Sequence, residues 1–247
     1  MKILVTGSDG FVGRFLVKEL GKKGHQVEGF DLSHGKNILK LDQLKKAVKG
    51  KNAVFHLAAM LDETKTKQML KINVMGTENV VDASAKAGIE HFVYLSTVGV
   101  HANCKGIVKE NSEICPETRY ETSKARAEKI VWESQEMLPV TILRSALVFG
   151  PNQYWKGIVK LAKKNFPLIG NGNNKFQTIY AKDLVSSLLF VLGKEECFGE
   201  TYIVAGSEKP KLNEVYGLIR KELGIKGVVK TIPSWFGIII AYVYLLK

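Results

Sequence analysis

Between an apolar run, Lys2–Thr6, and a stretch with apolar residues at helical spacing, Phe11–Leu20, lies Thr6-Gly7-Ser8-Asp9-Gly10-Phe11-Val12-Gly13. A Gly-x-x-Gly-x-x-Gly spacing placed between a strand and a helix predicts a tight turn that aims backbone N–H groups and a helix N-terminus at a pyrophosphate. Gly10 has no side chain to hold a phosphate away, and Gly13 lets helix and strand pack closely. A glycine turn alone is a common structural device, so its neighbours decide. Asp31 closes the second strand, 18 residues after Gly13. A carboxylate there accepts hydrogen bonds from adenosine ribose hydroxyls and repels a 2′-phosphate, which favours NAD over NADP. Lys36 nearby works against that repulsion.

Short β-branched runs then alternate with helical patterns, the rhythm of βαβ units and a parallel sheet. Strands are predicted at Gln26–Asp31, Ala53–Ala59, His91–Thr97 and Pro139–Arg144, with helices at about Asn73–Ala87 and Arg119–Met137. The fold class is therefore α/β, a Rossmann-type doubly wound parallel sheet with a small C-terminal substrate lobe. After Gly150-Pro151 the βαβ rhythm fades. Residues 1–150 are expected to form the dinucleotide-binding domain, and 151–247 mainly the lobe, interleaved with the first domain around 176–192. In that last third, Lys175–Ala181 and Thr201–Val204 read as short strands, Asp183–Leu192 and Leu212–Leu223 as helices.

Charge and cysteine content narrow the function classes. The net charge of +12 over 247 residues points to anionic company. Lysine clusters such as Lys45, Lys46, Lys49 and Lys51 lack any nucleic-acid-binding module around them and read as solvated faces, so no nucleic-acid partner is expected. The five histidines show no ligand spacing, and no metal site is expected. Cys104, Cys115 and Cys197 are too few for a disulfide framework and point to a reducing, cytoplasmic setting. No apolar stretch reaches 18 residues. The nearest approach is Trp235 to Leu246; the segment 233–247 around it is read either as a helix packed on the lobe or at a homodimer interface, or as a peripheral membrane contact carrying Trp235, Tyr242 and Tyr244 near headgroups.

A second constellation is Tyr120-Glu121-Thr122-Ser123-Lys124. Residues four apart share a helix face, so a phenol and an ammonium stand side by side. Thr118 and Glu121 have capping-box spacing, which puts Tyr120 in the first turn. Helix N-terminus and Lys124 together are expected to favour phenolate, since an unperturbed Tyr titrates near ~10. Ser96-Thr97 end the strand before this helix, and ligand chemistry in parallel sheets gathers at strand C-termini. Thr97 is the favoured hydroxyl, Ser96 the lesser one. Hydroxyl, phenol and ammonium around a nicotinamide make a hydride-transfer site. On a solvated helix the same Tyr/Lys pair would carry no such meaning.

Taken in order, these pieces resemble the extended short-chain dehydrogenase/reductases: NAD-dependent epimerases and dehydratases, dihydroflavonol-type reductases and 3β-hydroxysteroid dehydrogenases. The resemblance runs from Lys2 to about Leu192. Besides the glycine loop, Asp31 and Tyr120/Lys124, it rests on Val54-Phe55-His56-Leu57-Ala58-Ala59, Asn73-Val74-Met75-Gly76-Thr77, Tyr94-Leu95-Ser96-Thr97, and Leu143-Arg144 with Val148-Phe149-Gly150-Pro151. It implies Tyr120 as general acid/base, Lys124 on the nicotinamide ribose, and Thr97 polarising the reacting carbonyl or alcohol. It further implies Phe11 and Val12 on the pyrophosphate through backbone N–H groups, Asn37-Ile38 beside adenine, and Leu57, Ala58 and Ala59 along the cofactor groove, with Asn73 also contributing to that site. Asn37 replaces the commoner acid. His56 reads as a buried, satisfied histidine rather than a catalyst.

Departures in the second half bear on the substrate. Nucleotide-sugar members commonly carry an Asn between Arg144 and Val148, where this chain has Leu147; Phe176 stands where an Arg would hold a diphosphate. These departures put an NAD(P)-dependent reductase or dehydrogenase acting on a less polar ketone or secondary alcohol ahead of a nucleotide-sugar epimerase or dehydratase. A non-catalytic nucleotide-binding accessory protein is the third reading.

Overall fold

The computed structural model describes residues 1–236. The first of its two compact units comprises Met1–Val148 and Ile179–Ala205. It is built on β1 (Lys2–Thr6), β2 (Gln26–Phe30), β3 (Ala53–His56), β4 (His91–Thr97), β5 (Val140–Ser145) and, far along the chain, β9 (Glu200–Val204), while the short strands β6 (Leu147–Phe149) and β8 (Thr178–Tyr180) fall where the chain leaves and re-enters it. The six strands run in the order β2-β1-β3-β4-β5-β9, every pairing parallel. Crossing from β2 past β1 to β3 reverses the winding, so the switch point lies outside the carboxyl ends of β1 and β3. The unit is Rossmann-like.

Strand alternation explains the two-faced core. Leu4, Val54, Phe92 and Tyr94 point to one side, where they pack with residues of α2 (Leu41–Val48), α4 (Gly76–Lys86) and α5 (Arg119–Glu133). Ile3, Val5, Phe55 and Val93 point to the other, against α1 (Phe11–Lys22) and α7 (Ala181–Val191). Strands covered on both faces need apolar residues at consecutive positions, as β3 has.

Several elements differ in extent from the sequence expectation. β3 ends at His56, because Leu57–Ala59 leave the ladder as the cleft wall. The helix expected from Asn73 begins earlier, as α3 (Thr66–Leu70), and passes through a π turn, Lys71–Met75, into α4. Cys104 and Cys115, expected as thiols, are joined in a disulfide with Cα atoms 6.2 Å apart. Backbone bonds bring them together: Cys115 N donates to Val100 O at 2.8 Å and Asn103 N to Cys115 O at 3.0 Å. Cys197 is free and buried.

The second unit comprises Phe149–Thr178 and the chain from Gly206. Its small core sets Ala162 of α6 (Gln153–Lys163) and Leu168 with Tyr216 of α8 (Leu212–Glu222). The Tyr216 hydroxyl donates to Phe166 O at 2.6 Å, and a parallel pair joins β7 (Leu168–Ile169) to β10 (Thr231–Ile232). Most of the apolar segment 233–247 lies outside the described residues. Among the described residues, no helix is long and apolar enough to cross a membrane.

Candidate active site

The glycine turn is built by close backbone approach. Gly7, at φ +70°, donates its N–H to Phe30 O at 2.9 Å, and a Cβ there would come within 2.7 Å of Ala58 N. A Cβ on Gly13 would collide with Gly7 O, so only glycine lets α1 start this close to β1. Gly10 precedes α1 with no side-chain cap. The first-turn N–H groups, those of Phe11 and Val12 among them, have no intrahelical acceptor and face outward for an anion.

Beside this turn opens a cleft of about 400 Å³, lined among others by Gly7, Gly10, Asp31, Ile38, Leu57 and Ala58. Asn37 and Ala59 line it too. Asp31 is held by N–H donation from Asp9 at 3.1 Å and Ser33 at 3.0 Å, which fixes its carboxylate at the end of β2. Asn37 Oδ1 accepts from Leu39 N at 2.9 Å, so part of its amide shapes its own turn. Ile38 is buried, and a Cβ on Gly76 would come within 2.8 Å of its Cγ1; glycine at 76 leaves room for the Ile38 side chain.

A chain of buried polar contacts ties the cleft to α5. Thr6 Oγ1 lies 2.6 Å from His56 Nδ1, and His56 Nε2 lies 2.9 Å from Thr77 Oγ1. Thr77 spends its hydrogen on Asn73 O at 2.6 Å. His56 is therefore assigned as the Nε2–H tautomer, donating to Thr77 and accepting from Thr6. Burial, with the Lys124 charge adding to it, pulls the His56 pKa down to about 3. The satisfied-histidine reading fits this geometry. Asn73, in the π turn, has both ends of its amide engaged: Oδ1 accepts from Met60 N at 2.7 Å, and Nδ2 donates to Met60 O and Ser123 Oγ, each at 2.9 Å. It clamps the cleft wall to the helix that carries Tyr120. An i,i+4 helix does not foretell this inward turn, whereas a π turn does rotate one extra side chain inward.

The capping box forms as expected. Thr118 Oγ1 accepts from Glu121 N at 3.2 Å, and Glu121 Oε2 accepts from Thr118 N at 2.8 Å. Tyr120 accordingly sits in the first turn of α5, half-buried. Its N–H donates to Glu63 Oε1 at 3.3 Å. Lys124 is buried; its Nζ donates to Leu95 O at 2.8 Å and lies 4.1 Å from the centroid of the Tyr94 ring. Thr97, at the end of β4, accepts from Gly99 N at 3.1 Å through Oγ1, which leaves its hydrogen to give. Ser96 Oγ, in contrast, is buried without a hydrogen-bond partner.

Electrostatics depart from the expectation of a ready phenolate. Burial, with the Glu121 charge adding to it, pushes the Tyr120 phenol up to about 12. Lys124 does not offset this, because its ammonium is directed at Leu95 O and the Tyr94 ring. Burial draws Lys124 itself down to about 7, with the Glu128 carboxylate working the other way. The pair therefore rests as a protonated phenol beside an amine poised to titrate near neutrality.

A doubly wound sheet with a glycine turn at its switch point, and a Tyr/Lys helix capped beside the end of β4, defines a dinucleotide-dependent short-chain dehydrogenase/reductase. The chain belongs to the NAD dependent epimerase/dehydratase family, whose model matches residues 3–205. It is an NAD-dependent enzyme. A protein of Bacillus subtilis named an uncharacterized UDP-glucose epimerase is 29% identical over 93% of this chain and 84% of its own length. A 2-alkyl-3-oxoalkanoate reductase of Stenotrophomonas maltophilia is also 29% identical, over 94% of this chain and 78% of its own. Among solved structures, a dTDP-glucose 4,6-dehydratase of Streptomyces venezuelae with NAD bound has the same fold, with TM-score 0.83 and 23% identity over 94% of this chain and 84% of that one. The residues present fit the dinucleotide: a cradle that side chains would fill at Gly7 and Gly13, free N–H groups at the start of α1, and an anchored carboxylate at Asp31.

Proposed function

We propose that this chain removes a hydride from a secondary alcohol carbon of a nucleotide-linked sugar and returns it to the same sugar within one turnover, in the manner of an epimerase or dehydratase. The observation that carries the reaction class is the start of α5, where Tyr120 and Lys124 share a face next to the end of β4 and Thr97. The family match and the B. subtilis relative support the sugar substrate. When bound, NAD supplies the hydride acceptor and a positive ring. Gly7, Gly10, Gly13 and the N–H groups of Phe11 and Val12 hold the pyrophosphate; Asp31 takes the adenosine ribose hydroxyls, with Asn37 and Ile38 beside adenine and Leu57–Ala59 along the groove. Asn73 acts on that groove through Met60.

Thr97 donates its hydrogen to the substrate oxygen. As the alcohol C–H bond breaks and hydride leaves, the O–H proton passes to the Tyr120 oxygen, which must first have lost its own. Lys124, near its titration midpoint at neutral pH, takes up the charge change on the phenol. In an epimerase the same transfers then run backward on the other face of the carbon, and Tyr120 ends as it began; in a dehydratase water is lost first and the hydride returns to the adjacent alkene carbon; in neither is cofactor consumed. A second reading, a reductase for less polar ketones, draws on Leu147 and Phe176 standing at the expected substrate positions.

Incubation with UDP-glucose or dTDP-glucose, followed by NMR of the sugar and absorbance at the reduced-nicotinamide band, separates the readings. A changed sugar without net NADH is the expected result. Stoichiometric NADH consumption with ketones, and an untouched sugar, would replace the proposal by the reductase. NAD uptake without turnover of either class would leave a binding protein.

A further inference from the structure

The roles above leave one buried charge pair unused. Glu128 stands on α5 one helical turn past Lys124, and Arg144 on β5; each is about 6% exposed. Arg144 Nε donates to Glu128 Oε1 at 2.9 Å, and Nη2 bonds the same oxygen, while Glu128 Oε2 is buried with no hydrogen-bond partner. Arg144 Nη1 reaches two further groups, His101 Nε2 at 2.9 Å and Glu110 O at 2.7 Å. His101 lies 2.6 Å from Glu113 O through Nδ1, so that nitrogen carries the hydrogen and Nε2 accepts from the guanidinium. One guanidinium thus binds helix α5 to both arms of the 98–118 segment, which links Thr97 to Tyr120.

The groups set against Lys124 are Tyr94 and Leu95 O on β4, His56, neutral, on β3, and Glu128 on its own helix, with Tyr120 one turn before it and the Arg144 guanidinium of β5 behind Glu128. Of these only Glu128 carries negative charge. Burial strips a proton from an amine, and an anion within a helical turn returns it.

We propose that Glu128 is a positioning residue for the Tyr120–Lys124 pair: held by Arg144, it fixes the 98–118 segment against α5 and sets a carboxylate one helical turn from the Lys124 amine. A buried carboxylate held on one oxygen with the other oxygen bare is a costly arrangement for stability alone, which argues for a role in the electrostatics of its neighbour. The positioning role rests on the assignment of Lys124 to the reacting pair.

The test reads the Lys124 proton directly and needs no substrate, so its failure is distinct from that of the proposed function. The full chain is labelled with 15N-lysine, Nζ of Lys124 is assigned with Lys124→Met, and its titration is followed by NMR. Glu128→Gln keeps the shape and removes the charge; the Lys124 midpoint should fall by on the order of one pH unit, with a matching fall in the pH at which NADH binding changes. Glu128→Gln with Arg144→Met, which leaves neither member of the pair alone, should show a smaller fall in the same direction, because a cation leaves with the anion, and serves if the single variant does not fold. A midpoint unmoved in either folded variant, whatever happens to its melting temperature, would overturn the proposal.

Discussion

At the scale of single residues, the proposed chemistry turns on protons that burial has displaced. Tyr120 is a phenol held up to about 12 and Lys124 an amine drawn down to about 7, so the phenol cannot share a proton with water at neutral pH without help. Tyr120→Phe should lower turnover by about 10²- to 10⁴-fold, the usual weight of a general acid/base, while calorimetry finds NAD affinity unchanged. Equal losses of both would remove Tyr120 from the reacting centre. Asp31→Ser should shift preference toward NADP by removing the repulsion at the 2′ position, read as the ratio of the two dissociation constants; an unchanged ratio would mean that Asp31 does not face the ribose. Tyr120, Lys124 and Asp31 were legible in the sequence because local spacing places them. Glu128 and Arg144 meet across a helix and a strand, and nothing in their separation of 16 residues announces it.

Elements were legible where a local rule governs them. The capping box of Thr118 and Glu121 predicts where α5 starts, and its Oγ1 and carboxylate contacts are those the motif requires. The π turn at Lys71–Met75 was not legible, because its reason is tertiary: Asn73 faces inward to satisfy Met60 and Ser123. Asn73→Ala would leave those buried groups without partners and should cost about 2–4 kcal/mol, seen in urea unfolding, with weaker NAD binding as the wall around Met60 loosens. A loss below ~1 kcal/mol would mean that water satisfies the site. The disulfide was equally hidden, since Cys104 and Cys115 meet only through the backbone pairing of 100–103 with 113–115. Its loss, as Cys115→Ser, should lower stability by up to about 3 kcal/mol through the freed loop; an unchanged unfolding midpoint would show that the bridge does not constrain the chain.

For the molecule as a whole, acid should be the weak side. His56 and His91 are buried as neutral rings, with pKa values pulled down by burial to about 3 and about 4. The unfolded chain binds protons at these residues from about pH 6.5 downward, whereas the folded chain does not, so stability falls as pH drops. Each unit below 6.5 costs about 1.4 kcal/mol per ring, until the folded pKa is reached. His91, held by Thr141 at 2.8 Å and by Gly193 N at 3.0 Å, contributes a share that His91→Gln should remove. A denaturation midpoint constant between pH 4 and 6.5 would contradict this. The doubly wound sheet was legible from the βαβ rhythm, but β9 was not assigned to it: Thr201–Val204 reads as an isolated strand because the partner it completes, β5, lies on the far side of residues 149–178.

That late return has a price during synthesis. Until Val204 leaves the ribosome, β5 presents a bare edge of six residues that the folded protein buries, Val140–Ser145, a ready template for wrong pairing. At ~5–20 residues per second, the gap between Ser145 and Val204 lasts on the order of 3 to 12 seconds. A nascent chain stalled after Thr178 should therefore be a strong chaperone client, and one stalled well past Ala205 a weak one.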